Sequence, residues 1–246
     1  MIGDATKMNI LVACEESQEV CKAFREKGHR AFSCDIEKCS GGHPEWHIKD
    51  DVLKILNGNC EFILENGEIE KQEGKWDMII AFPPCTHLAV SGAAWFEKKR
   101  KDGRQREGIE FFCKFLDVNC EKVVIENPIG IISGDYILKH FPDLAIKYDL
   151  PKKPTQIIHP WMFGDNYSKS TCLWEKGVDS LIPQVTIQPE LEWFEWTDKK
   201  TGKKKRQPKW FADAWKLPAK ERSRLRSKTF PGIAKAMAEQ WGEIDE

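Results

Sequence analysis

The sequence predicts an α/β fold in which a mainly parallel sheet carries helices on both faces, with a small insertion toward the C-terminal end. Three observations predict it. Short apolar runs alternate with helix-length amphipathic segments, and strands alternating with helices build parallel sheets. Glu15, Asp35, Cys85 and Glu126 each fall at or just past the end of such a run, at the edge where open α/β sheets bind ligands. The length of 246 residues holds one full α/β domain and a small appendage.

The elements follow in order. Residues 8–14 (MNILVAC) form the first apolar run and end in the polar turn Glu15-Glu16-Ser17. Ser17 is expected to cap a helix reaching about Lys27, with Val20 and Phe24 on one face and Gly28 ending it. Residues 30–35 (RAFSCD) read as a second strand that ends in a carboxylate. Residues 46–51 approach a third extended element, and 52–56 a short helix. Residues 76–82 (WDMIIAF) are a strand broken by Pro83-Pro84. Residues 104–118 are helical, with Ile109, Phe112 and Leu116 spaced for burial. Residues 122–126 (KVVIE) form a further strand, stopped by Asn127-Pro128. The next distinct region holds Trp193, Trp196, Trp210 and Trp215 and the basic run 199–206, with a hairpin expected near Thr201-Gly202. Residues 231–241 (PGIAKAMAEQW) are a helix with proline at its start. The chain thus divides into a core over 1–177, an insertion over 178–216 and a C-terminal return over 217–246.

Composition narrows the function classes. The net charge of −1 does not advertise nucleic-acid binding, so any such binding must come from local clusters. The nine cysteines form no regular framework, and Cys14, Cys113 and Cys120 sit in apolar runs. Reduced thiols of this kind point to a cytoplasmic compartment. No apolar run is long enough to span a bilayer. The first residues lack the pattern of a signal peptide, and Met8 is an alternative start just ahead of the first strand. Cys34, Cys39, His43 and His47 have spacings that permit a structural zinc site. The strand position of Cys34 works against tetrahedral closure, and no metal is expected.

Phe82-Pro83-Pro84-Cys85 carries the chemistry. The prolines stop the strand and hold the next side chain at the sheet's edge. A cysteine there offers a thiolate nucleophile. The plain structural alternative is a buried cysteine after a proline turn. Glu126-Asn127-Pro128 closes the next core strand, so its carboxyl is expected near Cys85. For Glu126 alone the plain alternative is a carboxylate capping the next turn. Together, a thiol and a carboxyl suit the activation of a pyrimidine ring. Carbon 5 of the ring is a poor nucleophile, but thiolate addition at carbon 6 makes it enamine-like. A hydrogen bond or proton at the neighbouring ring nitrogen lowers the cost of that addition.

Pro83-Pro84-Cys85 followed by Glu126-Asn127 resembles the paired motifs of the DNA cytosine-5 methyltransferase family. The resemblance runs over residues 8–174 and the final helix. It is nearest to short phage-type members, through Thr171-Cys172-Leu173-Trp174 and Pro231-Gly232-Ile233-Ala234. It implies a Rossmann-like S-adenosylmethionine-dependent methyltransferase fold with Cys85 and Glu126 as catalytic residues. It also implies S-adenosyl-L-methionine as donor and double-stranded DNA with a flipped cytosine as substrate. Relatives that methylate exocyclic nitrogens carry an aromatic after Pro-Pro, so Cys85 argues for carbon methylation. The implied donor site lies at the first strand's end, with Asp35 on the ribose and Asp51, beside its rival Asp50, facing the adenine. Ala13, Cys14, Glu15, Ser17, Ile36, Val52 and Pro83 complete the implied cofactor contacts.

The sequence departs from that pattern in three places. The first-strand loop reads Ala13-Cys14-Glu15-Glu16-Ser17 in place of a glycine-rich turn, and Glu15 or Glu16 is expected to meet the donor's ammonium. No clear arginine-bearing motif follows; Gln156, His159, Lys169 and Thr171 occupy that stretch. Lys169 stands in as a base or phosphate contact, without arginine's planar fork. The insertion is small, which weakens any long-site specificity.

Two basic clusters are the candidate nucleic-acid contacts. Lys98, Lys99, Arg100, Lys101, Arg104 and Arg106 lie in the loop after Cys85, where the family has a mobile loop over the target base. Lys203, Lys204 and Arg206 lie in the insertion. With Ser91 and Lys169 they are expected to hold phosphates while Cys85 reaches an extruded base. The plain alternative is solvated loops, with the tryptophans either stacking on bases or packing together. Residues 222–228 read only as a basic cap on a helix end. A thymidylate-synthase-like enzyme also uses a Pro-Pro-Cys nucleophile, with a folate as carbon donor. A zinc deaminase would use His43-Pro44-Glu45 and Pro84-Cys85, but Leu88 stands where its second thiolate belongs. A DNA-binding decoy of the same fold, weakened in turnover, is the non-enzymatic alternative.

Overall fold

Strands covered on both faces can be apolar at every position, and the central strands of this chain are of that kind. The structure is a computed structural model that describes residues 7–243. The expectation that no signal peptide opens the chain falls largely outside those residues. In chain order the first half comprises β1 (Asn9–Ala13), α1 (Glu19–Glu26), β2 (Arg30–Asp35), β3 (His47–Lys49), β4 (Cys60–Ile63), β5 (Ile69–Gln72) and β6 (Met78–Ala81). Next come α2 (Phe96–Lys101), α3 (Arg104–Leu116), β7 (Lys122–Pro128), α4 (Gly134–His140), α5 (Pro142–Tyr148), β8 (Gln156–Ile158) and β9 (Thr171–Lys176). The last elements are β10 (Trp193–Thr197), β11 (Lys204–Pro208), α6 (Lys209–Ala214), α7 (Ala219–Ser227) and α8 (Pro231–Trp241).

The architecture is mixed α/β. Seven strands form one sheet in the order β3-β2-β1-β6-β7-β9-β8. The first five of these pair in parallel, and β9 runs antiparallel to both of its neighbours. The hairpins β4-β5 and β10-β11 form two separate small sheets. No helix among the described residues is long and apolar enough to cross a membrane.

Alternation along each strand sends side chains to two cores. Leu11, Ile79 and Val123 pack on one face with Ile109 and Phe112 of α3. Ile10, Met78 and Val124 pack on the other with Phe24 of α1 and Met237 of α8. Each such buried aliphatic contributes roughly 1.5–3 kcal/mol, so the central strands are the rigid base for whatever their ends present. In α3, Cys113 and Phe115 are fully buried and Leu116 only partly, a small shift of the expected stripe. The N-terminus of α8 sits tightly on the turn Pro160–Phe163: Gly232 donates its N–H to Asp165 Oδ2 at 2.9 Å. A Cβ there would lie 2.1 Å from the Phe163 carbonyl oxygen.

Several expectations need correction. Ser17 does not cap α1. The carboxylate of Glu15 does, accepting from Val20 N at 2.7 Å and Cys21 N at 3.2 Å, while Gln18 turns the chain at φ 60°. Gly28, at φ 90°, follows the helix end as expected. Strand β7 is not stopped at Glu126 but runs on to Pro128, opposite Thr171 of β9. Proline is tolerated because β6 has already ended, its last pair being Ala81 with Ile125, so Pro128 needs no N–H on that side. The basic residues expected in a loop after Cys85 are helical: a 3-10 turn, Val90–Trp95, leads into α2, which holds Lys98 to Lys101, and Arg104 and Arg106 open α3. The β4-β5 hairpin, α2, α4 and α5 carry little periodicity and are not read from the sequence.

The proposed zinc ligands have other partners. The Cys34 thiol donates to Asp50 O at 3.4 Å, and His43 stacks on Trp46 with ring centres 3.8 Å apart. His47 meets Ser33 Oγ at 2.9 Å and Glu37 O at 3.0 Å. Among the described residues no three His, Cys, Asp or Glu side chains are grouped to hold a metal ion.

Burial pushes the Glu15 carboxyl up to about 7, against the lowering by its two backbone donors. In the unfolded chain a glutamate titrates near ~4.3. Between that value and about 7 the folded state binds the extra proton, so stability falls as pH rises through this window and levels off above it. Urea midpoints at pH 5 and pH 8 are expected to show a smaller fall in Glu15→Gln than in the wild type. An identical fall in both proteins would remove Glu15 as its source.

Candidate active site

Strand order places a crevice at one point on the sheet edge. From β1 the chain steps outward to β2 and β3, then returns to β6 on the other side of β1. Loops leaving the C-terminal ends of β1 and β6 therefore diverge, and ligands of open sheets bind at such points. A cavity of about 750 Å³ lies there. Cys14 and Glu16 line it after β1, Asp35 at the end of β2, Pro83 and Cys85 after β6, and Glu126 on β7.

The turn after β6 is tied down from two sides. Asn127 Nδ2 donates to the Pro83 carbonyl at 2.9 Å, joining the proline turn to β7. Beyond it, the amides of Leu88 and Ala89 both donate to Cys85 O at 2.9 Å. Cys85 is thereby held half-buried at the cavity wall and is a free thiol. Glu126 follows Ile125, the partner of Ala81, so neighbouring strands deliver thiol and carboxyl to the same space. The Glu126 side chain is 15% exposed, and Lys169 Nζ lies 4.0 Å from its Oε1.

These groups set one another's protonation. Burial pushes the Glu126 carboxyl above the usual range, partly offset by Lys169 and the Thr171 hydroxyl. Burial also pushes the Cys85 thiol up, and the charge of Glu126 adds to this; Lys169 and Arg226 pull it down. Two negative charges side by side are disfavoured. The arrangement favours a single anion, and a thiolate beside a neutral Glu126 is the form with a nucleophile and a proton donor together.

The remaining expected cofactor contacts separate into three groups. Cys14, Glu15, Ser17, Asp35 and Pro83 line the cavity. Glu15 is nonetheless committed to the helix cap, and it is Glu16 whose Oε2 is buried in this wall without a hydrogen-bond partner. Ile36 is 73% exposed beside Asp35, an apolar side chain left at the rim. Ala13, Asp51 and Val52 are corrections. Ala13 is fully buried, and its carbonyl accepts from Phe82 N, so it joins β1 to the proline turn from beneath. Asp51 caps the turn Val52–Lys54 by accepting from Leu53 N at 3.0 Å, and Val52 is a core residue. Neither lines the cavity. In the loop without glycine, Cys14 adopts φ 59°, a left-handed conformation that costs roughly 1–2 kcal/mol in a non-glycine residue. Such strain is retained where the surroundings over-determine it, as at binding sites.

The basic residues sort just as unevenly. Ser91 and Lys169 line the cavity. Lys99 does not reach solvent: it is buried, with Nζ donating to Thr86 O at 2.7 Å, so it braces the loop after Cys85. Arg100 donates to the Tyr136 hydroxyl, Arg104 pairs with Asp102, and Arg106 pairs with Asp143. Lys98 is exposed. In the insertion the expected hairpin forms, with Thr197 opposite Lys204, but its basic strand lies outside the cavity. Lys203 and Lys204 are exposed there, and Arg206 stacks over Trp193 at 4.5 Å.

Sequence reasoning missed the wall opposite the sheet. Arg222, Arg226 and Lys228 of the α7 segment line the cavity, together with Trp210 and Phe211 of α6. The available signal was the lack of any apolar stripe in residues 219–227, since none of them is buried. A helix polar on all sides covers something other than core.

Alkylation of Cys85 tests the coupling directly. With iodoacetamide at pH 8 and peptide mapping by mass spectrometry, Glu126→Gln is expected to speed modification, because a charge that opposes the thiolate is gone. Lys169→Gln and Arg226→Gln are expected to slow it. Equal rates in all four proteins would show that these groups do not control the thiol.

Comparison of the chain with known protein families and with curated proteins returns no match.

Proposed function

We propose that this chain is a DNA cytosine-5 methyltransferase that uses S-adenosyl-L-methionine as donor. One observation carries the reading: a half-buried thiol and a carboxyl driven toward its neutral form share one cavity at the sheet's C-terminal edge. That pair matches the two demands of pyrimidine activation, a nucleophile for carbon 6 and a proton donor for the ring nitrogen. The parallel strands stepping outward from β1 in both directions support assignment to the Rossmann-like S-adenosylmethionine-dependent methyltransferase fold. The free cysteines suit a reducing, cytoplasmic setting.

The cavity also fits the donor. Glu16 Oε2, buried and unpartnered, suits an ammonium group. Asp35, held by Glu37 N at 2.9 Å, suits a ribose diol, with Ile36 free to cover an adenine face. Bound there, S-adenosyl-L-methionine supplies an electrophilic methyl group. Cys85 adds its thiolate to carbon 6 of the cytosine, and Glu126 holds a proton at the ring nitrogen so that negative charge does not accumulate on the ring. Lys169 and Arg226 offset part of the cost that burial and Glu126 place on ionising the thiol, and so ease formation of the thiolate that adds. After carbon 5 is substituted, a base takes its proton, the electron pair of that bond re-forms the double bond between carbons 5 and 6, and the bond from carbon 6 to sulfur breaks to release Cys85 as a thiolate.

Incubation of DNA with labelled S-adenosyl-L-methionine, followed by nucleoside analysis, is expected to yield 5-methylcytosine. Cys85→Ala is expected to abolish it, and Glu126→Gln to lower the rate by roughly 10²–10⁴-fold, the usual worth of general acid catalysis. DNA carrying 5-fluorocytosine is expected to remain covalently attached to the wild type. Label on an exocyclic nitrogen, or full activity in Cys85→Ala, would overturn the assignment.

A further inference from the structure

We infer that α7 and the residues just after it form a phosphate-binding wall that grips the nucleic-acid strand carrying the target base; this rests on the proposed reading of the cavity. Residues 220–228 (KERSRLRSK) carry five cations and one carboxylate in a chain whose net charge is −1. The helix places them unevenly. Arg222, Ser223, Arg226 and Ser227 are spaced to share one face, and all four line the cavity, continued by Lys228 and Thr229. The wall is therefore built from guanidinium, ammonium and hydroxyl groups, which are all hydrogen-bond donors to phosphate oxygens.

The arginines are held in place and left without an acid. Arg226 lies over the Phe211 ring at 4.2 Å and Arg222 over Trp215 at 4.6 Å. Stacking fixes the planar fork before any ligand arrives. Among the described residues no carboxylate lies within ion-pair distance of Arg222 or Arg226, whereas Arg104 and Arg106 are both paired. Burial lowers the pKa of Arg226, as expected of a cation partly stripped of water and lacking a matching anion. Lys228 differs, since it meets Glu19 at 3.2 Å.

A nucleic-acid strand fits this wall better than a free nucleotide does. Arg222 and Arg226 stand about 6 Å apart along the helix, at ~1.5 Å per residue, so they suit two successive phosphates of one strand. Arg226 is near enough to influence the Cys85 thiol, and Arg222 stands one turn before it on α7 in the wall of the same cavity. A strand gripped by both would present one base to the thiol while its flanking phosphates stay at the mouth.

The test is fluorescence anisotropy with a labelled cytosine-containing DNA duplex over a range of salt concentrations. Each phosphate contact contributes ~0.9 to the slope of log affinity against log salt. Arg222→Gln and Arg226→Gln are each expected to weaken binding several-fold and to lower the slope by about one contact's worth. Arg224→Gln removes the same charge from a position that does not line the cavity, and is expected to keep the wild-type slope. The double Lys variant, Arg222→Lys with Arg226→Lys, keeps the charge and separates its loss from damage to folding; it is expected to retain most of the slope. Unchanged slopes in the Gln variants, or an equal loss in Arg224→Gln, overturn the proposal. So does competition by free deoxycytidine monophosphate at the concentration of duplex that saturates the protein. Slope effects without any methyl transfer would defeat the enzymatic reading and leave the wall standing; transfer with no slope effect would do the reverse.

Discussion

Cys85 and Glu126 share a cavity because β6 and β7 pair in parallel with Ala81 opposite Ile125. That register decides which side chains emerge together at the sheet's edge. A slip of one residue in β7 would turn Glu126 to the opposite face, away from Cys85, since side chains alternate along a strand. The register is protected by the two cores it feeds, with Ile79 and Val123 on one face and Met78 and Val124 on the other. The hydrogen bond from Asn127 to the Pro83 carbonyl then carries the register past the end of β6, where no strand ladder remains. Prolines stiffen the turn, but this side-chain contact sets its distance from β7.

Charge in the cavity is arranged on the same base. Burial opposes ionisation of both Cys85 and Glu126, and the charge of Glu126 adds to the cost for Cys85. Lys169 comes from the loop before β9, and Arg226 from α7, on the opposite wall. Both favour a negative sulfur. A neutral Glu126 and the cations facing Cys85 therefore both lower the cost of a thiolate there. Such separation of roles between adjacent groups is how a single site runs nucleophilic and acid chemistry together.

Basic residues show how weak a guide charge density is by itself. The cluster following Cys85 is mostly spent on internal contacts: Lys99 on a carbonyl, Arg100 on a tyrosine, Arg104 and Arg106 on aspartates. The insertion's basic strand stands away from the cavity. The cations that do face Cys85 are Lys169, from the loop before β9, and Arg226, from a helix with no buried residue. Position relative to the sheet edge, rather than number of charges, separates these groups.

Local chemistry in the chain was enough to determine β2 and α8 at their observed bounds, the proline turn with its cysteine, and the strand-end glutamate. Apolar periodicity, proline and glycine act over a few residues and are visible without a partner. What only the tertiary structure decided depends on neighbours distant in sequence. The choice of Glu15 as cap and Glu16 as free carboxylate follows from which of the two meets the start of α1. The extension of β7 through Pro128 follows from β9, and the withdrawal of Asp51 and Val52 from the cavity follows from the turn they build. The closing of the site by α7 required the chain to fold back from position 219 onto residues near position 85. That approach leaves no periodic signature, because the face it covers is a cavity and not a core.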